Sequence, residues 1–433
     1  MQIEGTNRKA WLIVAMLFSF MLINFADKAV LGLSAVSIMK ELNLSHAQFG
    51  AVGSSFFAFF SIGAVLVGFL VNRVQARWVL LAMALIWSVA QLPMLFTLGL
   101  PFLVFNRVLL GAGEGPAYPV ALHATYKWFP NERRSLPSGF VSLGGAVGVG
   151  IVAPLVAWVI AEYSWHVAFF VLGLAGLAWA LVWMAAGAEG PLTDNSHGVA
   201  DGTHIPYGSL LTCRTVLGAF IIGFAAYWLL TLAFVWLPAY LNRGMGFTMR
   251  EASWIVTLPS LCQILTQPAI CIASERLNRR GVSSRLSRGA VASGCVLLAG
   301  LLAAVMPFAP GTILPILCVA IAFSIGSVVF ALGHVVVAEV TPARQRGAML
   351  GINNAVATLA GVAAPVGMGM MVDVGTSAAA GFQSGFLITG LCVALAGLAG
   401  MLLINPEADR RRFAQLATLP GDTMKVPLPA IEA

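Results

Sequence analysis

The feature that most constrains this chain is a series of twelve apolar runs, each long enough to cross a lipid bilayer. A helix of about 20 apolar residues spans the hydrocarbon. The runs cover roughly 10–37, 47–71, 78–98, 101–126, 136–160, 165–187, 213–241, 251–274, 287–307, 312–338, 346–372 and 381–404. Only 9% of the 433 residues are charged, while 59% are hydrophobic. A soluble domain carries about 25% charged residues, and it could not hide this much apolar surface from water. The first run is too long for a signal peptide and shows no small-residue cleavage site. It is expected to stay as the first spanning helix.

The loop charges test the count. If the chain crosses at every run, 19 of its 24 Lys and Arg fall on one side. Lys40, Arg243 and Arg250 fall on the other, and Lys28 and Arg107 lie inside the membrane. Basic loops stay cytoplasmic, so both termini are expected inside the cell. The net charge of +7 therefore sits in short loops. It makes no basic stripe on a soluble face, which excludes nucleic acid as a partner. The lipid bilayer is the partner instead.

Between the sixth and seventh runs, residues 188–212 are rich in Gly, Asp, Thr and His, with Pro191 and Pro206. This is linker composition. The expected organisation is a six-helix bundle over 1–187, a cytoplasmic linker over 188–212, a second bundle over 213–404 and a cytoplasmic tail over 405–433. The halves echo each other. Pro130 to Arg134 follows the fourth run as Pro342 to Arg346 follows the tenth, and Arg-rich loops follow the second and eighth. The expected fold is an all-α integral membrane protein, twelve transmembrane helices in two pseudo-symmetric six-helix bundles. Duplicated halves suit an alternating-access carrier with its site at the midplane.

A charge at the bilayer centre costs at least about 2.5–3.5 kcal/mol on insertion scales. Four charged residues lie at depth: Asp27 and Lys28 in the first helix, Arg107 and Glu114 in the fourth. Seven residues separate Arg107 from Glu114, so they share one helix face. Asp27 and Lys28 point about 100° apart. One reading is an ion-pair network docking the first helix on the fourth. The other is a transport site, in which Lys28 and Arg107 hold an anion and Asp27 and Glu114 carry a proton. His334, Tyr227, Asn353 and Asn354 are further candidates for substrate contact. Against each stands a packing role, and helix-to-helix hydrogen bonding is the alternative for the Asn pair. Trp228 and Trp236 could line a cavity or sit in an aromatic belt. Gly144, Gly145, Gly148 and Gly150 are expected to allow close helix packing. The six cysteines form no C-x-x-C pair and read as small apolar residues. No cofactor or metal is expected.

Several segments carry a family resemblance. Asn24-Phe25-Ala26-Asp27-Lys28 resembles the N-Y-x-D-R signature of the anion:cation symporters of the major facilitator superfamily. Arg107 to Gly115 is similar to that family's R-x-x-x-G-x-x-E-G, and Trp128 to Arg133 to its W-F-P-x-x-E-R. Trp236 to Leu241 resembles its W-L-P-x-Y-L. The resemblance implies proton-driven symport of a small organic anion by a monomer in the inner membrane. It implies anion binding at Arg107, proton coupling at Asp27 and Glu114, and substrate contact at Asn354. It also implies a cytoplasmic gate at Gly68, Asn72, Arg73 and Arg77. Three positions depart from the pattern: Lys28 stands for Arg, Phe25 for Tyr, and Asn72 for the acid of the superfamily's G-x-x-x-D-R loop. The first two favour a less hydroxylated acid. Thr257, Ser260, Gln263, Thr266 and Gln267 in the eighth helix leave a sugar acid open.

The expected function is secondary active transport of a carboxylate, driven by a proton gradient. An uncoupled facilitator or exchanger is the alternative. A receptor or membrane-embedded enzyme fits less well, because the His and Cys residues are scattered.

Overall fold

Lipid offers no hydrogen bonds to the backbone, so a crossing segment must pair its own N–H and C=O groups. The apolar runs therefore wind into helices. The computed structural model describes residues 2–44, 46–96, 99–192 and 204–417. Its helices group into α1 (Gln2–Leu33), α2 (His46–Val71), α3 (Ala76–Gln91), α4 (Gly99–Glu114 and Ala117–Tyr126), α5 (Ser135–Val147 and Ala153–Glu162) and α6 (Trp165–Ala186). The second half holds α7 (Arg214–Val235), α8 (Met249–Arg279), α9 (Val291–Val305), α10 (Ile313–Ile325 and Val328–Val340), α11 (Ala343–Thr358 and Ala360–Val374) and α12 (Ala378–Leu403). A last helix, α13 (Pro406–Ala417), follows. Among the described residues ten helices are long and apolar enough to cross a membrane. In α2 the apolar stretch is shorter, Ser55–Val71, and α4 is interrupted at Gly115-Pro116. At the head of α8, Thr248 and Glu251 form a capping box. The Thr248 backbone N–H and hydroxyl hold the Glu251 carboxyl below the usual carboxylate range.

The two halves repeat one packing scheme. In the first, α1 packs on α5, α2 on α4 and α3 on α6; in the second, α7 packs on α11, α8 on α10 and α9 on α12. Between halves, α2 meets α11 and α5 meets α8, which are equivalent crossings. Helix ends repeat as well. Glu189, past the end of α6, accepts from the backbone N–H groups of Ala76 and Arg77 at the start of α3. Glu407, past the end of α12, accepts in the same way from Ser284 and Arg285 ahead of α9. Each carboxylate meets the positive end of a helix dipole. Arg134 donates to the carbonyl of Tyr126, eight residues back, and Arg346 to that of Ala338, also eight back. These arginines satisfy terminal carbonyls of α4 and α10. The Pro-to-Arg echo in the sequence is thus a repeated helix-end device.

Of the linker, residues 193–203 lie outside the described residues, as do 418–433 of the tail.

Glycines set the closest helix contacts. A Cβ at Gly111 would lie 2.2 Å from the Phe56 carbonyl oxygen, and one at Gly115 only 1.8 Å from that of Phe60. These residues, one turn apart on α4, let it rest on the backbone of α2. On α5, a Cβ at Gly144 or Gly148 would meet the carbonyl oxygens of Phe18 and Leu22 in α1 at 2.3 and 2.6 Å. The expected packing role of that Gly-rich stretch holds. A backbone carbonyl cannot move aside as a flexible side chain can. Gly115→Ala should therefore cost about 1–3 kcal/mol or more through overpacking. Lower yield of monodisperse protein and an earlier thermal transition in detergent would register it.

The ends that carry the loops after α2, α4, α8 and α10 form a basic face. There the halves are joined. Asn72 Oδ1 accepts from the Gly347 N–H at 2.8 Å, Gln267 Nε2 donates to the Gly139 carbonyl at 3.1 Å, and Glu275 accepts from the Leu136 N–H at 3.1 Å. Arg288, fully buried, pairs with Glu339 at 2.8 Å and reaches across to Asn131 Oδ1 at 3.1 Å. Arg410 of α13 pairs with the other Glu339 oxygen at 3.2 Å. Removing one member of a buried pair costs about 3–5 kcal/mol when the other charge is stranded, and less here because Arg410 still pairs with Glu339. Arg288→Ala should accordingly lower the thermal midpoint more than Arg411→Ala, whose side chain is exposed.

Candidate functional site

The helix breaks place the site. In α4, Pro116 lacks an N–H and Pro119 cannot donate to the Gly115 carbonyl. That carbonyl instead accepts from Asn354 Nδ2 of α11 at 3.4 Å. In α10, the helix pauses between Ile325 and Val328. The two breaks occupy equivalent places in the halves, and Tyr118 beyond the first donates its hydroxyl to the Phe330 carbonyl beyond the second at 2.6 Å. The Ser61 and Thr358 hydroxyls meet at 3.1 Å and join α2 to α11 at similar height.

Around these breaks lies a cavity of about 80 Å³ between the halves. The first half contributes Phe25, Lys28, Phe60, Glu114, Tyr118 and Ser142, and the second Tyr227, Phe234, Ser260, Gln263, Phe330 and Asn354, among others. Among the described residues, Lys28 is the one lysine or arginine in the lining. Its ammonium donates to Asn24 Oδ1 at 2.8 Å. It sits 4.1 Å from the ring centroid of Phe25 and 4.6 Å from that of Phe60. Aromatic faces attract a cation and shield it from water without neutralising it. The Phe25 ring lies against Gly145, where a Cβ would approach it to 3.0 Å. Glu114 is 1% exposed, and among the described residues neither of its carboxyl oxygens has a hydrogen-bond partner. It lies within electrostatic range of Asp27, Lys28 and Arg107.

The four intramembrane charges thus form one cluster of zero formal charge, but they do not share one surface. Asp27 is buried behind the lining, faced by Gln91 and in range of Arg107 and Lys28. Arg107 is also absent from the lining. Its guanidinium donates to Asn106 Oδ1 at 2.7 and 3.1 Å and lies 5.1 Å from the Phe169 ring of α6. Seven residues of helix turn Arg107 and Glu114 to the same side, yet the arginine is taken up by Asn106 and the Phe169 ring of α6 and does not enter the lining. His334 lies behind the wall, edge-on to Tyr118 at 5.0 Å between ring centroids. Trp228 and Trp236 pack on α11, Trp236 donating to the Pro365 carbonyl at 3.0 Å. Phe25, Lys28, Tyr227 and Asn354 reach the cavity as the sequence suggests.

Of the expected gate, Gly68 and Asn72 lie where the halves touch. A Cβ at Gly68 would meet the Gly347 carbonyl oxygen at 2.8 Å, and Asn72 makes the bond to Gly347. Arg73 is exposed. Arg77 donates to the Met184 carbonyl at 3.0 Å within its own half, because Glu189 fastens the start of α3 to the end of α6. Among the described residues no group of three or more His, Cys, Asp or Glu could hold a metal ion.

Sequence reasoning passed over Phe60, Tyr118, Ser142, Ser327 and Phe330. A usable signal was present for three of these. Gly115-Pro116 with Pro119, and Gly326-Ser327, interrupt corresponding runs of the two halves. Such paired interruptions mark the binding region of repeat-built carriers.

The family model described as Major Facilitator Superfamily matches residues 16–249 and 219–429. A probable galactarate/D-glucarate transporter of Bacillus subtilis is 27% identical over 429 residues, covering 92% of each chain. A hexuronate transporter of the same organism is 27% identical, covering 91% of this chain and 94% of its own. A D-galactonate transporter of Escherichia coli is 26% identical, covering 85% and 90%. Among solved structures, the proton:xylose symporter XylE superposes with a TM-score of 0.72 at 16% identity, over 92% of this chain and 97% of its own. The transporter FucP in its outward conformation gives 0.70 at 15% identity, over 95% and 100%. The branch that the motifs resemble is the one whose curated members the chain matches. With its duplicated bundles and a mid-height cavity between them, the chain belongs to the major facilitator superfamily, a family of membrane transporters.

Proposed function

We propose that the chain is a proton-coupled symporter of a small organic anion, a monomer in the inner membrane with both termini in the cytoplasm. The observation that carries this reading is the cavity between the halves, which among the described residues presents the Lys28 ammonium and the Glu114 carboxyl, the latter without a hydrogen-bond partner. Lys28 binds the carboxylate of the substrate. Glu114 is the proton carrier, and Asp27 is its buried neighbour. Arg107 acts from behind the wall as the countercharge that keeps Asp27 tolerable at depth. The curated relatives named above carry sugar acids, which supports an anionic substrate here.

The coupling follows from charge. With Glu114 ionised, Lys28 is already compensated and gains little from an anion. Once Glu114 is protonated, the cluster carries a net positive charge and an anion restores neutrality. The halves then rock about the site. The joined basic face, placed in the cytoplasm, makes the present conformation one that is closed inside. Opening there breaks the Asn72, Gln267, Glu275 and Arg288 links between the halves. Release of anion and proton inside lets Glu114 compensate Lys28 again, and the empty carrier resets.

Uptake of radiolabelled carboxylates into proteoliposomes, with and without an inward proton gradient, tests the reading. The panel holds hexonates, hexarates, hydroxyphenylacetate and phthalate. Accumulation above the external concentration only with the gradient is expected. Equilibration that ignores the gradient would mean an uncoupled facilitator instead.

A further inference from the structure

We infer that the transported acid is a monocarboxylate with a flat, sparsely hydroxylated body, and that Phe25 and Phe60 select it. The inference rests on the mid-height cavity being the transport site and narrows what fits there.

The first observation is the number of cations. Among the described cations Lys28 alone enters the lining, and Arg107 is held by Asn106 and Phe169. A dianion would leave its second carboxylate facing Glu114 or an aromatic wall. An unpaired charge at that depth is heavily penalised.

The second is the state of the polar groups. A sugar acid presents a hydroxyl on nearly every carbon, and each one buried without a partner costs free energy. Most donors of the wall are engaged, and the Ser260 hydroxyl and one Gln263 N–H remain. Ser327 donates to the Ser324 carbonyl at 2.6 Å and Gln263 to Gln267 at 2.7 Å. Asn354 donates to Gly115, Tyr118 to Phe330, and Thr358 shares a bond with Ser61. The Asn354, Tyr118 and Thr358 bonds join the halves and the Ser327 bond closes the break in α10, so a substrate could claim these only by loosening the site.

The third is the surface that remains. Phe25, Phe60, Tyr118, Tyr227, Phe234 and Phe330 supply rings from both halves. An aromatic or similarly flat body can pack against such rings with offset or edge contacts. The two phenylalanines that flank the Lys28 ammonium place such a body next to its own carboxylate. The departure of Phe25 from the family tyrosine removes a hydroxyl at this point.

The test uses the full chain in proteoliposomes with an inward proton gradient and three labelled probes at equal concentration: 4-hydroxyphenylacetate, D-gluconate and D-glucarate. Saturable uptake of 4-hydroxyphenylacetate at least about tenfold faster than either sugar acid is expected. Phe60→Ala, shown monodisperse by size exclusion, should lower that ratio by about tenfold. Faster or equal uptake of gluconate or glucarate would overturn the inference while leaving anion symport standing. An unchanged ratio in the Phe60 variant would overturn the selecting role. Uptake of none of the three by folded protein would remove the transport-site reading and the inference with it.

Discussion

Replacing Lys28 by Met is expected to reduce uptake by about 100-fold or more at low substrate concentration. Truncating one partner of a buried, hydrogen-bonded charge pair costs about 2–5 kcal/mol, and each 1.4 kcal/mol is tenfold in affinity. Lys28 is the one cation in the lining among the described residues, so none of them can take over. The same substitution strands Glu114, which then stays neutral at depth. Protein yield should therefore survive while transport does not. Lys28→Arg is the informative companion. It keeps the charge, but the guanidinium is larger and must find room between Phe25 and Phe60, now 4.1 and 4.6 Å from the ammonium. Partial activity is expected. An apparent KM that rises steeply for Lys28→Met with little loss of folded protein is the measurement that checks the role. Uptake within threefold of the parent would remove Lys28 from the site.

Glu114→Gln is expected to abolish uphill accumulation and spare exchange. The amide has the shape of the protonated acid but cannot release a proton, so the site stays ready for an anion on both sides of the membrane. Loaded carriers can still cross, and labelled substrate should exchange against unlabelled substrate inside the vesicle. The empty carrier should reset poorly, because nothing compensates Lys28 once the anion has left. Net uptake should fall at least about tenfold, the effect of removing a positioned proton carrier being about 10²–10⁴ in comparable acid–base roles. Full uphill accumulation in this variant would assign the proton to another group, with Asp27 the next to test. Arg107 makes a useful contrast: Arg107→Lys should act through Asp27 and folding, and not as a loss of substrate affinity alone.

Much of the fold is legible in the sequence because the bilayer makes few structures possible. Apolar length gives the spans. The Pro-to-Arg echoes give the duplication, which reappears as Arg134 and Arg346 capping their helices eight residues back. Which face of each helix points inward was less legible. Lys28 and Glu114 reach the cavity, whereas Arg107 and His334, equally conspicuous at depth, do not. The difference lies in what a long side chain meets first. Asn106 and Phe169 take up the Arg107 guanidinium before it reaches the cavity. Phe60 could not be told from Phe57 or Phe59 by composition, yet it turns inward while those two are exposed. The gate shows the same limit. Gly68 and Asn72, named through the loop resemblance, do meet Gly347 of α11 across the halves. The turn of Arg77 toward α6 depends on Glu189, more than a hundred residues away.

The central claim is that an anion and a proton cross together through this cavity. Its most direct test follows the pH inside proteoliposomes after the transported acid is added outside, with no gradient imposed. Symport predicts that the lumen acidifies as the acid enters, at a rate that saturates with substrate and disappears in Glu114→Gln, while protein-free vesicles show only slow leakage. Saturable entry of the acid with no acidification beyond that of the protein-free vesicles would contradict the account.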